Sequence, residues 1–204
     1  MELKPLYRQS KEQLTDKIIS ECLSGSNHAQ RQLFEMYYSE GMNVALRYSS
    51  RSEDAKEILA NAFIRVFEKL EQFDLSKSFS PWFRKFIIHA SSDYYRYQKS
   101  IILPLEQITE VRIDDQIIDQ MAYQDLLNLI QELPYSLRTV FNLYCIEGYK
   151  HQEIAEIMHI SEGTSKSNLH RAKARLQVMI IEFSKQRAIG SIRQEDKTKV
   201  NERT

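Results

Sequence analysis

The chain contains few of the residues that interrupt or cross-link a fold. Among its 204 residues there are 5 glycines, 4 prolines and 2 cysteines. Cys22 and Cys145 lie far apart and have no neighbours at metal-ligand spacing, so we expect neither a disulfide framework nor a zinc site. We predict that both cysteines are small core residues. Scarce glycine and proline favour long helices, because both residues weaken or end them.

Long apolar runs and catalytic motifs are also missing. No apolar stretch approaches the roughly 20 residues that span a membrane, and the opening residues MELKPLYRQSKEQ lack the apolar core of a signal peptide. We therefore expect a cytoplasmic protein without membrane insertion. The sequence has no phosphate-binding glycine loop, no histidine and cysteine set at metal spacing and no nucleophile motif. We accordingly predict that the chain is not an enzyme and has no catalytic residue, cofactor or metal.

Opposite charges balance over the whole chain but not along it. In total, 28 Lys and Arg residues stand against 28 Asp and Glu residues. Residues 77–99 hold five basic residues and one acid, residues 99–133 two basic residues and seven acids, and residues 150–187 seven basic residues and four acids. Two basic segments with an acidic one between them predict two contacts with an anionic ligand, joined by a linker that avoids it.

Apolar residues recur at spacings of three and four throughout, which predicts an all-α protein made of two small helical domains. We place the first domain at 1–97, an acidic linker containing Pro104 at 98–119, the second domain at 120–183, and a charged, disordered tail at 184–204. The predicted helices are residues 15–23, 27–48, 52–70, 80–97, 120–133, 136–147, 151–158 and 161–183.

Local signals refine three of these helices. Ser52 is the expected N-cap of the third helix, and Ser80 followed by Pro81 is the expected start of the fourth. Gly41 is a candidate kink in the second helix. The apolar face of the third helix is wider than one packing contact needs, and we interpret the surplus as a partner surface.

The strongest local signal is GYKHQEIAEIMHISEGTSKSNLHRAKARL, residues 148–176, which has the pattern of a helix-turn-helix. Ile160 is the predicted buried residue of the turn, and Ser161 is the predicted cap of the second helix. One face of that helix is expected to point inward: Ser165, Leu169, Ala172 and Leu176.

The opposite face of this second helix is polar and basic. A recognition helix needs such a division, because its first turns enter the major groove while phosphates flank them. An ordinary helical hairpin with a solvated basic face is the alternative interpretation. The candidate DNA-contacting residues are Lys166, Ser167, Asn168, His170, Arg171 and Arg175.

Basic and aromatic side chains alternate in SPWFRKFIIHASSDYYRYQK, residues 80–99. The inward stripe of this helix is predicted to be Phe83, Phe86, Ile87 and Ala90. Aromatic faces can also stack unpaired bases. The candidates for stacking are Phe73, Trp82, Tyr94, Tyr95 and Tyr97, although we favour a core position for Trp82.

Two blocks of the chain resemble the extracytoplasmic-function group of bacterial sigma factors. SEDAKEILANAFIRVFEKLEQFD and SFSPWFRKFIIHASSDYYR are similar to region 2, and LPYSLRTVFNLYCIEGYKHQEIAEIMHISEGTSKSNLHRAKARL is similar to region 4. With the linker, the resemblance covers residues 16–183. It implies an alternative sigma factor that binds the RNA polymerase core and directs promoter-specific transcription initiation, without a reaction of its own.

The resemblance also assigns partners. The third helix would dock on the clamp helices of the polymerase β′ subunit, the β flap would be a second polymerase contact, and an anti-sigma factor would hold the protein inactive. Where the family often has an acid followed by leucine, glutamine and glutamate, this chain has Ala60 and Asn61 in place of two usual polar contacts. The candidate polymerase-binding residues are Glu57, Ile58, Asn61, Ala62 and Arg65.

Promoter contacts are implied in the same way. The 73–80 loop and the following helix would open the −10 element and capture a flipped non-template base, and the helix-turn-helix would read the −35 element as duplex. Asp93 and Arg96 match the family's Asp-x-x-Arg pattern, although they could instead pair structurally. The candidate −10 residues are Phe73, Asp74, Ser76, Lys77, Arg84, Lys85, Asp93 and Arg96.

A stand-alone helix-turn-helix regulator is the alternative function. It would bind a palindrome as a dimer, and its first domain would dimerise or sense a ligand. This alternative predicts tight, specific binding to duplex DNA without polymerase. The sigma-factor hypothesis predicts that the chain alone shows little such binding.

Overall fold

The computed structural model describes the backbone of residues 3–97 and 122–201, with side chains over 11–96 and 122–187. The chain divides into two compact units, Met1–Ile101 and Ile102–Thr204. Every regular element of the described residues is helical, which confirms the all-α prediction there. None of the described helices is long and apolar enough to cross a membrane. The predicted linker lies outside the described residues.

The described part of the first unit, residues 3–97, contains four helices. They are α1 (Leu3–Leu23), α2 (Asn27–Tyr48), α3 (Ser52–Glu68) and α4 (Phe79–Tyr97), and a 3₁₀ turn, Leu70–Gln72, follows α3. Helix α1 begins well before the predicted residue 15, because its first turns are helical without an apolar stripe that periodicity could detect.

Two predicted caps differ from the structure. Ser52 is the first residue of α3, and the N-cap position is Arg51, which contributes no capping side-chain bond. The Arg51 guanidinium instead lies 3.6 Å from the Asp54 carboxylate. Ser80 lies within the first turn of α4, where its Oγ donates to Glu40 Oε2 at 3.2 Å. Of the two residues predicted as caps, Ser80 is thus bonded to a residue of another helix.

The wide apolar face of α3 is used inside the protein. Helix α3 packs against both α2 and α4, so two neighbours cover it. Its buried apolar residues are Ala55, Ile58, Leu59, Ala62, Phe63 and Val66. Most of the surplus is therefore internal packing, and it remains available to a partner only at Ile64, the one large apolar residue of this helix that is exposed, at 56%.

Gly41 serves close packing. A Cβ atom at this position would lie 2.5 Å from Leu59 Cδ1 and 3.0 Å from Phe83 Cζ. Helix α2 runs through Gly41 without interruption, so the glycine allows α2 to approach α3 and α4 closely and does not break the helix.

The second unit contains α5 (Tyr123–Glu132), α6 (Tyr135–Phe141), a π-helical turn (Asn142–Ile146), α7 (His151–Met158) and α8 (Glu162–Asn201). Sequence periodicity predicted a single helix over α6 and the π-helical turn. A π-helical turn spans only one residue more than an α-helical turn, so it hardly alters the spacing of apolar residues. The core of this unit is formed by Leu129, Leu133, Leu137, Ala172, Leu176 and Ile180.

Helix α8 corrects the prediction of a disordered tail. It continues past residue 183 to Asn201. Lys, Gln, Arg and Ala are good helix formers, so a helix can extend here without an apolar core. Arg187 Nη1 lies 3.4 Å from Asp125 Oδ2 and links this extension to α5.

The two cysteines differ. Cys22 is buried as predicted, but Cys145 is exposed. Cys145 belongs to the π-helical turn, whose neighbouring side chains Tyr144 and Ile146 are also exposed, at 40% and 39%. The prediction that both are core residues was wrong for Cys145.

Candidate nucleic-acid interface

The turn between α7 and α8 is sharp and well bonded. His159 adopts a left-handed backbone with φ of +53°, and the amide of Ile160 donates to the Ala155 carbonyl at 3.0 Å. Ser161 Oγ accepts from the amide of Thr164 at 3.0 Å, which confirms the predicted cap. Ile160 is only half-buried, so its predicted role as the buried residue of the turn was wrong.

A side-chain contact that sequence reasoning missed joins α7 to the start of α8. His151 Nδ1 lies 2.9 Å from Ser165 Oγ, and Ser165 is fully buried. The imidazole also stacks on Tyr144, with ring centroids 4.6 Å apart. The polar Ser165 on an otherwise apolar face was the available signal, because a buried hydroxyl needs a partner.

The outward face of α8 agrees with the prediction except at one residue. Lys166, Ser167 and His170 are exposed, and Arg171 and Arg175 are half-buried. The inward residues Ser165, Leu169, Ala172 and Leu176 are all buried, as predicted.

Asn168 is the exception, at 6% exposure. It lies three residues after Ser165 and four before Ala172, so helical geometry places it beside the inward stripe. Its assignment to the DNA-contacting face is therefore contradicted.

Two polar contacts order the outward face of α8. Lys166 Nζ lies 2.7 Å from Glu162 Oε1, and this hydrogen bond and charge lower the pKa of the Glu162 carboxyl. Arg171 Nη2 donates to Ser167 Oγ at 3.4 Å. These side chains are held along the helix surface and present N–H donors to solvent.

The loop before α4 is held by its own side chains. Asp74 Oδ1 accepts from the Ser76 amide at 3.0 Å and from Ser76 Oγ at 2.7 Å, and Lys77 Nζ lies 3.4 Å from Asp74 Oδ2. These hydrogen bonds, those from Ser76 foremost, lower the pKa of the Asp74 carboxyl. All three residues are exposed, so the loop presents an ordered polar surface.

Phe73 does not share that exposure. It is 8% exposed and packs against Phe79 and Trp82, with ring centroids 5.5 Å and 5.0 Å away. The structure therefore contradicts the assignment of Phe73 as a base-contacting residue, because its ring faces are covered by other aromatic rings.

A cavity of about 90 Å³ lies beside this loop. Of its lining residues, only Ser76 and Lys77 were among the predicted −10 residues, because the α1 side of the wall is about 60 positions away and no spacing connects the two. Tyr37 and Thr15 hydroxyls are 3.0 Å apart in this wall. The lining residues are Glu12, Thr15, Asp16, Tyr37, Leu75, Ser76, Lys77, Ser78 and Phe79.

The aromatic residues of α4 are divided between core and surface. Phe83, Ile87 and Ala90 are buried as predicted, whereas Trp82 and Phe86 are half-buried and in mutual contact, with centroids 4.6 Å apart.

The tyrosine hydroxyls near the end of α4 are bonded within the unit. Tyr94 donates to Asp54 Oδ1 at 3.0 Å, and Tyr95 accepts from the Ser50 amide at 3.3 Å. Burial raises the pKa of the Tyr94 hydroxyl, and the bond to Asp54 adds to this shift. The side chain of Tyr97 lies outside the described residues.

Asp93 brings together two predicted sites. Its Oδ2 lies 2.6 Å from Arg65 Nη1 of α3, and its Oδ1 pairs with Arg96 Nη2 one turn along α4. Arg65 was predicted to bind polymerase, and Asp93 and Arg96 to contact the −10 element. Of the remaining candidates on α4, Arg84 is half-buried and Lys85 is exposed.

On the outer side of α3, Glu57 and Asn61 are exposed as a binding role requires. Ile58 and Ala62 are both 0% exposed, which contradicts their assignment as polymerase-contacting residues. They are four residues apart on the face that α2 and α4 cover.

Comparison with known proteins identifies the family. The description "Sigma-70 region 2" matches residues 33–101 and "Sigma-70, region 4" matches residues 123–176, together well over half of the chain. The chain is 26% identical over 180 residues to the ECF RNA polymerase sigma factor SigW of Bacillus subtilis, covering 81% of this chain and 96% of the relative. The chain belongs to the extracytoplasmic-function sigma factors. This sigma factor directs transcription initiation, as the resemblance implied.

Other similar proteins agree. The sigma factor is 27% identical over 182 residues to the ECF RNA polymerase sigma-E factor of Haemophilus influenzae, covering 81% and 95% of the two chains. Two solved structures have a weak overall similarity to its fold. CnrH with the cytosolic domain of CnrY has 17% identity and a TM-score of 0.45, covering 82% and 97% of the two chains. RpoE with the anti-sigma factor NepR from Bartonella quintana has 18% identity and a TM-score of 0.47, covering 74% and 96%.

Proposed function

We propose that this sigma factor binds the RNA polymerase core and recognises a promoter at two elements, the −35 element through α8 and the −10 element through the loop after α3 and through α4. The observation that carries this proposal is the opening of α8. Its cap and inward face are fixed, while Lys166, Ser167 and Arg171 stand on the opposite, accessible face.

For the −35 element, the exposed face supplies the donors that duplex recognition needs. Lys and Arg reach phosphates and the acceptors of guanine, and a serine hydroxyl can donate or accept. The contact set we propose is Lys166, Ser167, His170, Arg171 and Arg175. The buried Asn168 supports the helix from behind.

For the −10 element, the ordered Asp74–Ser76–Lys77 loop and its adjacent cavity provide polar groups beside a concave surface. Capture of a flipped base requires such a polar recess. Lys85 and Arg96 on α4 supply exposed positive charge for the strand backbone, and half-buried Arg84 adds to it.

For polymerase, we propose that α3 docks on the clamp helices of the β′ subunit through Glu57, Asn61 and the exposed Ile64. Ile58 and Ala62 hold the helix in place from the buried side. The β flap is the proposed contact of the second unit. Since Ala60 and Asn61 carry less polarity than the family pattern, we expect core affinity at the weak end of the group.

The remaining proposals concern context. Residues 1–97 form the region 2 domain, 120–183 the region 4 domain and 98–119 the linker between them. The protein works in the cytoplasm, catalyses no reaction and is held inactive by an anti-sigma factor. An anti-sigma factor is the partner that the resemblance to the extracytoplasmic-function group implies.

Run-off transcription tests the proposal. A fragmented genomic library is transcribed by purified core polymerase with and without the protein, and transcript starts are mapped. New starts that share two spaced upstream elements are expected. If none appears while the free protein retains specific duplexes, the stand-alone regulator is the better hypothesis.

The assignment of the −35 element is tested on the promoter found in this way. Arg171→Ala is expected to weaken holoenzyme binding to this promoter by about 1–3 kcal/mol and to relax the base preference at one position of the −35 element. Lys185→Ala, an exposed basic residue farther along the same helix, is the matched control and should leave affinity unchanged. Equal losses from both variants would contradict a specific reading face.

A further inference from the structure

Asp93 is shared by two arginines from different helices. Both carboxylate oxygens are engaged, Oδ2 by Arg65 Nη1 at 2.6 Å and Oδ1 by Arg96 Nη2. Arg96 is one turn beyond Asp93 on α4, whereas Arg65 reaches across from α3. The three side chains therefore form one unit that connects the two helices at the surface.

The chemistry of this unit separates the roles of its members. A carboxylate only accepts hydrogen bonds and repels phosphate, so Asp93 cannot bind the DNA backbone directly. A guanidinium has five N–H donors, and one nitrogen of Arg96 is used here. Arg96 is also the most exposed of the three, at 55% against 38% for Asp93 and 37% for Arg65. Arg96 is thus the member best placed to reach a nucleic-acid strand.

We propose that Arg65 is a positioning residue for recognition of the −10 element. Arg65 neutralises and orients the Asp93 carboxylate, and Asp93 in turn restricts the guanidinium of Arg96 to one orientation. This proposal rests on the proposed function of α4 and reassigns Arg65 from the polymerase surface to the DNA side of region 2.

The charges of the unit make a distinctive prediction. Removing Arg65 leaves the Asp93 carboxylate opposed only by Arg96, so local positive charge falls and DNA of any sequence binds more weakly. Removing the charge of Asp93 releases both arginines, so non-specific binding strengthens while discrimination between sequences weakens. Variants of Arg65 and Asp93 therefore shift non-specific affinity in opposite directions, which loss of stability alone would not do.

The test uses holoenzyme assembled with excess sigma factor and a fork-junction DNA that carries the mapped promoter. Dissociation constants are measured for this DNA and for one with a substituted −10 element. Arg65→Ala is expected to weaken binding to the promoter DNA about three- to fivefold, as for an exposed ion pair. With Asp93→Asn, the holoenzyme is expected to bind the substituted DNA more tightly. The two dissociation constants should therefore differ less than they do for the parent protein.

Three further variants make the result specific. Arg65→Lys keeps the charge and should recover binding to within about twofold. In the double variant Arg65→Ala with Arg96→Ala, the ratio of the two dissociation constants should equal that of Arg96→Ala alone, because Arg65 affects sequence discrimination only through Arg96. Arg51→Ala removes another exposed arginine, paired within α3 to Asp54, and should have no effect.

The outcomes separate this inference from the proposed function. If Arg96→Ala leaves −10 binding unchanged, the role of this part of α4 in promoter recognition fails and the inference falls with it. If Arg96→Ala weakens binding but Arg65→Ala does not, only the positioning role is wrong. If Arg65→Ala lowers affinity for core polymerase instead, Arg65 is a polymerase contact. Thermal unfolding of each variant checks that the fold is kept.

Discussion

At the residue scale, three positions are determined by geometry that few other side chains can satisfy. His159 has a left-handed backbone in the helix-turn-helix, Gly41 lies where two helices leave no room for a Cβ atom, and Asp74 is held by its own loop. At each position, a substitution is expected to change stability or a pKa in a direction that can be stated beforehand.

His159→Gly is expected to stabilise the protein. A non-glycine residue in the left-handed region costs about 1–2 kcal/mol, and part of this gain is offset by the greater freedom of glycine in the unfolded chain. We predict an increase of about 0.5–1 kcal/mol in the free energy of unfolding, measured by urea denaturation. The control is Glu156→Gly, an exposed position inside α7, which should lose about 1 kcal/mol. If the free energy of unfolding fell in both variants, the backbone of His159 would not be strained in the way we describe.

Gly41→Ala is expected to destabilise the first unit. The new Cβ would meet Leu59 Cδ1 at 2.5 Å, and overpacking of this kind costs about 1–3 kcal/mol, more than the helix propensity gained by alanine. Gly163→Ala is the matched control, because its nearest neighbour is 3.8 Å away. Thermal melts should show a lower Tm for the first variant and an unchanged or higher Tm for the second.

The Asp74 loop is expected to lose its order in acid. Because the pKa of Asp74 lies below its ordinary value of 3.8, its contribution is fully present above that pH and is lost as pH falls through the lowered pKa. The amide resonance of Ser76, followed by NMR, should report this titration. In Ser76→Ala the pKa of Asp74 should move back towards 3.8, and an unchanged pKa would contradict the bonds we describe.

At the element scale, the start of α8 depends on polar contacts that come before any contact with DNA. Ser161 caps the helix, Lys166 pairs with Glu162, and His151 bonds to the buried Ser165. These bonds orient the first two turns, so the proposed promoter recognition by the helix also depends on Ser161, His151 and Ser165, which are outside the proposed DNA-contacting set.

Loss of the Ser161 cap tests this dependence. Ser161→Ala should lower the free energy of unfolding by about 1 kcal/mol, whereas Ser161→Asp keeps an acceptor for the Thr164 amide and should stay within about 0.5 kcal/mol of the parent. Promoter binding by the holoenzyme should fall for the alanine variant. If stability falls without any change in binding, the cap is purely structural.

Sequence periodicity predicted which helix each candidate residue occupies, but not which neighbour covers it. Ser165 and Leu169 were placed inward correctly because they lie on one stripe of one helix. Ile58 and Phe73 were placed on surfaces because nothing local shows that α2, α4 or other aromatic rings lie over them. The pair of Arg65 and Asp93 joins positions with no helical spacing between them, so only tertiary structure reveals it.

At the scale of the whole molecule, a net charge of zero conceals two basic segments in separate units. Each proposed promoter contact is small, so each alone binds weakly. Polymerase would hold both units at promoter spacing and convert the second contact into an intramolecular one, which commonly strengthens binding by about 10²–10⁴-fold.

This argument predicts a large difference between free and polymerase-bound sigma factor. At matched salt, the free chain should bind its promoter duplex at least about 100-fold more weakly than the holoenzyme does. Mobility shift at several salt concentrations measures both affinities and the number of phosphates contacted. Comparable affinities would support a regulator that acts without polymerase.

Helix α8 also has a mechanical consequence. Its 40 residues form one helix from the cap at Ser161 to Asn201, and at 1.5 Å per residue its backbone is about 60 Å long. The distal end is therefore carried about 45 Å beyond Arg171 along the same axis. If the helix enters the major groove as proposed, a fluorophore attached there and an acceptor on the DNA would report promoter engagement as a change in the distance between the two labels.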